Sequence, residues 1–135
     1  MKEGIKEILF SEEEISIRTK ELAKIIDEDY KGKDLLLVGV LKGSVVFISE
    51  LLKRLHNPCE IDFMAISTYG NESKSSGVVK ILKDLDSSIE GKDVLIIDDM
   101  ISSGESMLDV AKELKRRKAR KVFICATFGL FTGGL

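Results

Sequence analysis

The feature that most constrains this chain is a short apolar run that ends in two adjacent carboxylates and a hydroxyl-rich turn. The run Val-Leu-Ile-Ile at residues 94–97 is followed directly by Asp98 and Asp99. A continuous apolar run of this length predicts a strand of a parallel sheet, because such strands are covered on both faces. Open α/β sheets bind ligands at the carboxyl ends of their strands. The two aspartates and the turn after them are therefore the first candidate site.

The turn after the aspartates predicts an anion site. Its residues are Ser102, Ser103, Gly104, Glu105 and Ser106. Hydroxyls and the free N–H groups at the start of a helix bind phosphate, while carboxylates bind metal ions and accept hydrogen bonds from sugar hydroxyls. Together they indicate a phosphorylated sugar as the ligand. On this stretch alone, an Asp-rich turn and a capped helix without any ligand remain the alternative.

The composition indicates a single soluble globular domain over residues 1–135. Hydrophobic residues make up 44% and charged residues 33% of the chain, which is usual for soluble proteins. The net charge of −2 gives no general attraction to nucleic acid, and no apolar run is long enough to cross a bilayer. Cys59 and Cys125 lie far apart in apolar runs, so we expect two free thiols in a cytoplasmic protein.

The order of apolar runs predicts strands that alternate with helices. Helices are expected at residues 11–30, 43–55 and 104–118, and strands at residues 35–41, 60–68, 78–82, 94–97 and 122–127. The first helix is expected to bury Ile15, Leu22, Ile25 and Ile26, which recur at helical spacing. This alternation predicts an α/β fold with a mostly parallel sheet of about four or five strands flanked by helices.

A second constellation follows the strand at residues 35–41. Its residues are Leu41, Lys42 and Gly43. A glycine at a strand end lets a ligand approach the backbone closely and is compatible with a strained peptide, and Lys42 adds a positive charge. An ordinary strand-to-helix turn with a solvated lysine fits the triplet equally well when it is considered alone.

The most specific stretch is Asp-Phe-Met-Ala-Ile-Ser-Thr-Tyr-Gly at residues 62–70. Together with the triplet and the two aspartates, it resembles the hypoxanthine-guanine phosphoribosyltransferases. The likeness covers about residues 5–99 and includes Lys80, Lys83 and Asp84 after this stretch. It implies the type I phosphoribosyltransferase core, with a purine-binding hood that is incomplete in this chain.

The resemblance also implies a role for each constellation. Asp98 and Asp99 would hold the ribose hydroxyls of phosphoribosyl pyrophosphate and Mg²⁺, and the turn at residues 102–106 would hold the 5′-phosphate. The triplet at residues 41–43 would hold pyrophosphate. Thr68 and Tyr69 would begin a lid that keeps water from the reacting sugar.

The implied reaction moves phosphoribose from phosphoribosyl pyrophosphate to a 6-oxopurine, hypoxanthine or guanine. The products would be the nucleoside monophosphate and pyrophosphate, as in purine salvage. The resemblance further implies a homo-oligomer, a dimer or a tetramer, with no membrane or nucleic-acid partner.

Two departures from the family bear on activity. The family normally carries an aspartate, the proposed base near the purine N7, where Ser102 stands; a serine hydroxyl accepts no proton near neutral pH without an activator. Residues 98–135 look closer to the phosphoribosyl pyrophosphate synthetases, in Asp-Asp-Met-Ile and in the stretch at residues 126–133. The chain therefore resembles a chimera or a truncation that lacks the family's base-contacting carboxyl-terminal segment, and impaired turnover is expected.

Two other functions remain open. One is a non-catalytic module that binds phosphoribosyl pyrophosphate or a nucleotide, or an engineered fold module without a selected function. The other is an RNA-binding regulatory relative that would use the basic cluster at residues 115–121. The net charge of −2 and the lack of an aromatic platform disfavour RNA binding.

Overall fold

The structure is a computed structural model that describes residues 12–67, 80–98 and 104–126. Within these ranges the elements follow the predicted order. They are α1 (Glu12–Asp29), β1 (Leu35–Val40), α2 (Ser44–Leu52), β2 (Glu60–Ser67), β3 (Lys80–Lys83), β4 (Asp93–Asp98), α3 (Gly104–Arg116) and β5 (Lys121–Ala126). The third helix ends two residues earlier than predicted because Lys118 adopts a positive φ of 71°, which ends a helix.

The five strands form one sheet in the order β3-β2-β1-β4-β5. The pairs β1–β2, β1–β4 and β4–β5 are parallel, and only β3 runs antiparallel to its neighbour, β2. All six residues of β1 are buried, as expected for a central strand covered on both faces. The predicted mostly parallel sheet is therefore confirmed.

The sheet separates two apolar cores. On one side α3 packs Val110 and Leu114 against Val38, Val94 and Ile96 of the central strands. On the other side α1 and α2 cover the alternate residues of the same strands, Leu35, Leu37, Leu95 and Ile97. The helix that follows β1 and the helix that follows β4 thus lie on opposite faces of the sheet.

The predicted buried stripe of α1 is partly wrong. Ile26 is buried and Leu22 partly so, but Ile15 is 53% exposed and Ile25 is 51% exposed. The helix packs through Thr19, Ala23 and Ile26 instead. These positions are spaced by four and three residues, and they allow close packing because Ala23 is small. The Thr19 hydroxyl donates to the Ile15 carbonyl at 2.7 Å, which satisfies it inside the core.

None of the helices in the described ranges is both long and apolar enough to cross a membrane.

Candidate ligand site at the carboxyl edge of the sheet

The strand order places a crevice between β1 and β4. The chain proceeds outward from β1 to β2 and β3, and in the other direction from β4 to β5. At such a switch point the following helices diverge to opposite faces, and ligands bind in the opening that results. Gly39 is level with Ile97 in the register of the two strands. The triplet after β1 and Asp98 at the end of β4 therefore lie side by side at the carboxyl edge of the sheet.

The triplet forms the turn between β1 and α2. The Leu41 N–H donates to the Met64 carbonyl at 2.9 Å, which ties the turn to β2, and the Val45 N–H donates to the Lys42 carbonyl at 3.2 Å. The peptide bond between Leu41 and Lys42 is cis. Lys42 and Gly43 are exposed, so both are accessible to a ligand in the crevice.

Among the described residues, the start of α2 has no side-chain cap. Gly43 occupies the N-cap position, and no side-chain hydrogen bond caps the helix there. Uncapped N–H groups at a helix start favour anions. Gly43 has an ordinary helical φ of −62°. Its contribution is the lack of a side chain in front of these N–H groups.

Gly39 and Ser44 pack closely together where β1 meets the start of α2, and neither was predicted from the sequence. A Cβ atom on Gly39 would lie 2.8 Å from the Phe63 ring and 2.9 Å from the Ser44 Oγ. The Ser44 hydroxyl is buried and makes no hydrogen bond within the described part of the chain. The start of α2 therefore rests directly on the β1 backbone. The available signal was a glycine inside an otherwise apolar run, which often marks close backbone approach.

Asp98 is the last residue of β4 and is partly buried. It lies level with Ala126 of β5. Asp99, Ser102 and Ser103 fall outside the described residues, so of the predicted ribose carboxylates only Asp98 has a described position. In the described ranges, no three His, Cys, Asp or Glu side chains cluster as a metal cage would require.

The backbone of the predicted phosphate turn is described from Gly104 onward. Gly104, Glu105 and Ser106 form the first turn of α3, where N–H groups have no partner within the helix. Because α3 follows β4, this helix start also lies at the carboxyl edge. Thr68 and Tyr69, the predicted lid residues, lie outside the described residues. They follow directly on β2, which runs parallel to β1 and ends at the same edge.

Lys83 and Asp84 brace the sheet. The Lys83 ammonium donates to the Phe63 carbonyl at 3.0 Å and to the Asp84 carbonyl at 2.9 Å. Both Asp84 oxygens accept from Arg117, at 2.8 and 3.0 Å. The hydrogen bonds from Arg117 lower the pKa of Asp84. The two residues therefore fasten β3 to β2 and to the far end of α3.

The basic cluster at residues 115–121 is largely paired within the chain. Lys115 donates to the carbonyls of Ala119 and Arg120, and so ties the end of α3 to the connection that leads into β5. Arg117 binds Asp84, and Arg120 holds the buried Asp93 through two hydrogen bonds of 2.7 and 3.1 Å. These contacts fit a helix carboxyl end and leave little of the cluster for RNA.

Both cysteines are free thiols, as expected from the sequence. Cys59 is partly buried and Cys125 is buried. Burial raises the pKa of Cys125 to about 11, so its thiol stays neutral and unreactive near pH 7. Neither cysteine lies at the crevice, because both contribute to the core beneath α1 and α2.

Comparison with known proteins agrees with this geometry. The model of the phosphoribosyl transferase domain family matches residues 6–130. A hypoxanthine-guanine phosphoribosyltransferase from Streptococcus thermophilus is 48% identical over 128 residues, which is 95% of this chain and 71% of the relative. This match extends well beyond residues 5–99, so the likeness to that family continues past β4.

Two solved structures have the same fold. A hypoxanthine phosphoribosyltransferase from Staphylococcus aureus superposes with a TM-score of 0.82 at 44% identity, over 90% of this chain and 66% of that one. A hypoxanthine-guanine phosphoribosyltransferase from Bacillus anthracis gives a TM-score of 0.83 at 38% identity, over 90% of this chain and 72% of that one. With its sheet order, its crevice and these matches, the chain belongs to the phosphoribosyl transferase domain family.

Proposed function

We infer that this chain transfers phosphoribose from phosphoribosyl pyrophosphate to hypoxanthine or guanine and releases pyrophosphate. The observation that carries this inference is the convergence of three groups on one crevice: the uncapped start of α2, Asp98 at the end of β4, and the start of α3. The 48% identity to a hypoxanthine-guanine phosphoribosyltransferase supports the choice of acceptor.

The crevice suits a donor that carries two anionic groups on one sugar. Neighbouring strands are about 4.8 Å apart, so groups at the ends of β1 and β4 can reach the same ribose. Lys42 and the N–H groups of α2 would bind pyrophosphate, and the first turn of α3 with Ser102 and Ser103 would bind the 5′-phosphate. Asp98, at the end of β4, and Asp99, the next residue in the sequence, would accept hydrogen bonds from the ribose hydroxyls.

A magnesium ion fits this arrangement. Mg²⁺ is usually held by one or two carboxylates together with substrate phosphates and water, and not by a complete protein cage. Asp98 and Asp99 would supply these carboxylate oxygens, directly or through water. The bound ion would neutralise negative charge on the pyrophosphate.

The residues of the chain would assist the departure of pyrophosphate. As the bond from the anomeric carbon to pyrophosphate breaks, negative charge grows on the leaving oxygens. Lys42 and the α2 N–H groups would stabilise that charge. Thr68 and Tyr69 would exclude water, which competes with the purine for the cationic sugar. Ser102 supplies no base, so we expect slow nucleotide formation.

Calorimetry with phosphoribosyl pyrophosphate and MgCl₂ tests the donor site. Asp98→Asn should weaken the Mg²⁺-dependent binding at least tenfold. The matched control is Asp86→Asn, because Asp86 is an exposed carboxylate beside Asp62, away from the carboxyl edge. The proposal fails if the parent protein binds no donor, or if both variants bind it as the parent does.

Ser102 favours a second function, the binding of phosphoribosyl pyrophosphate or a nucleotide without turnover. A steady-state assay with hypoxanthine separates the two functions. Formation of inosine monophosphate above the uncatalysed rate supports the transferase. Tight donor binding with no product supports the binder.

A further inference from the structure

The hydroxyl of Ser44 differs from two other hydroxyls of the helices. Thr19 in α1 and Ser49 in α2 each donate to the carbonyl oxygen four residues earlier, at 2.7 Å, which is a usual way for a helix to satisfy such a group. Ser44 is the first residue of α2, and the residue four positions before it, Val40, belongs to β1. Because Val40 is not part of a helical turn, this pattern does not serve Ser44.

The Ser44 hydroxyl is also fully buried. Ser44 is 0% exposed, and its Oγ makes no hydrogen bond within the part of the chain that the structure describes. A Cβ atom on Gly39 would lie 2.9 Å from this oxygen and 2.8 Å from the Phe63 ring. Most buried hydroxyls have a partner, and one without a partner lowers stability. An alanine would occupy the same place without this cost, so the hydroxyl does not stabilise the free protein.

Ser44 belongs to the turn that presents N–H groups to an anion. Gly43 precedes it at the N-cap position, where no side-chain hydrogen bond caps the helix among the described residues. The Val45 N–H donates to the Lys42 carbonyl at 3.2 Å, so Ser44 lies inside this first turn. Its backbone lies at the helix start while its side chain packs against β1. Any movement of the turn relative to β1 therefore changes the surroundings of the hydroxyl.

We propose that Ser44 is a positioning residue for pyrophosphate. When the anion binds at the start of α2, the turn shifts, and the Ser44 hydroxyl donates to a backbone carbonyl of residues 40–42. This inference rests on the proposed function, which assigns pyrophosphate to this turn. The free protein bears the cost of an unpaired hydroxyl and the bound protein does not, so the difference favours the bound state. The net contribution of one such hydrogen bond corresponds to a factor of roughly 2–12 in affinity.

Calorimetry with two single-anion ligands tests the proposal. Ser44→Ala should weaken the binding of pyrophosphate with MgCl₂ by a factor of roughly 2–12. It should leave the binding of ribose 5-phosphate unchanged, because that phosphate would occupy the start of α3. A general loss of structure would weaken both ligands. The matched control is Ser49→Ala, which removes an exposed hydroxyl from the same helix and should alter neither affinity.

Urea denaturation without ligand provides the second measurement. Because the hydroxyl is unpaired in the free protein, Ser44→Ala should unfold at the same urea concentration as the parent or at a higher one. A lower midpoint, or a variant that does not fold, would show that the hydroxyl already stabilises the free protein and would overturn the proposal.

The binding results separate this proposal from the proposed function. If the parent and Ser44→Ala bind pyrophosphate equally well, the role of Ser44 is rejected while the transferase remains. If Ser44→Ala binds pyrophosphate more weakly but the parent forms no nucleotide, the role of Ser44 stands without the transferase. A parent that binds no pyrophosphate rejects the role of Ser44 and the assignment of this turn together.

Discussion

Replacing Gly39 with alanine should damage both stability and donor binding. The new Cβ would lie 2.8 Å from the Phe63 ring and 2.9 Å from the Ser44 Oγ, so these groups must move apart. Overpacking of a core typically costs about 1–3 kcal/mol. The lower chain entropy of alanine in the unfolded state returns roughly 0.4–1 kcal/mol. The free energy of unfolding should therefore fall by about 1–2 kcal/mol, a sizeable share of the roughly 5–15 kcal/mol that stabilises a domain.

The effect on binding follows from the position of Ser44. This residue begins α2, whose first N–H groups adjoin the triplet at residues 41–43. If the added methyl group displaces the helix start, the affinity for phosphoribosyl pyrophosphate should drop several-fold. Urea denaturation measures the first effect and calorimetry the second.

Gly91→Ala is the matched control. Gly91 has a φ of +81°, and, its own chain neighbours aside, no atom of the described residues lies within 4 Å of the position of an added Cβ. Alanine there costs about 1 kcal/mol of backbone strain without any steric clash, so stability should fall while donor affinity stays unchanged. If Gly39→Ala is as stable as the parent, or binds the donor as well, then the close packing beneath the turn does not have the role assigned to it.

Three further predictions follow from the ion pairs and from Ser102. Arg120→Ala should lower the free energy of unfolding by about 1–3 kcal/mol, because it leaves the buried Asp93 carboxylate without its partner. The control Arg116→Ala breaks an exposed pair with Glu113 and should lower it by less than about 0.5 kcal/mol. Equal urea midpoints for the two variants would contradict this prediction. The pKa of Asp84 is lower in the folded protein than in the unfolded chain, where it is about 4. The ionised carboxylate therefore stabilises the fold above about pH 4, and this contribution disappears as the pH falls through the pKa of the folded protein. Asp84→Asn should therefore reduce the loss of unfolding free energy at acid pH by less than about 1 kcal/mol, because the Asp84–Arg117 pair is partly solvated. An unchanged pH dependence of stability would refute the role of Arg117. Ser102→Asp should raise turnover of hypoxanthine by less than the roughly 10²–10⁴ that a positioned base supplies, and a full rescue in a steady-state assay would show that the purine is already held correctly.

The sheet could be predicted because its central strands are buried on both faces. Such strands appear as unbroken apolar runs, and the runs at residues 35–41 and 94–97 match β1 and β4 closely. Because a predicted helix follows each of these runs, the next strand is expected to run parallel to it. The end of α3 was less predictable, because it depends on the positive φ of Lys118, which the sequence pattern does not reveal.

The buried face of α1 could not be predicted from hydropathy. The helix has more large apolar side chains than its contacts require, and Ile15 and Ile25 remain exposed. Its actual contact face uses Ala23 and Thr19, whose burial depends on small size and on a local hydrogen bond.

For the candidate site, the sequence predicted the strand ends that carry the site residues, but not the packing contacts that hold them in place. Motif order placed the triplet and Asp98 at strand ends, and adjacent parallel strands bring such ends together. The dependence of α2 on Gly39 arises from a contact among β1, β2 and α2, and only the folded arrangement reveals it.

The placement of α2 and α3 on opposite faces has a consequence for ligand choice. On the proposed function, their two starts would form separate anion sites, one on each side of the sheet. A ligand with only one anionic group, such as ribose 5-phosphate or free pyrophosphate, would occupy one of these sites. A ligand that carries both groups would bind the second site intramolecularly, and this effective concentration can raise affinity by a factor of about 10²–10⁴. The fold would then favour a sugar with two separate anionic groups, whichever base is used.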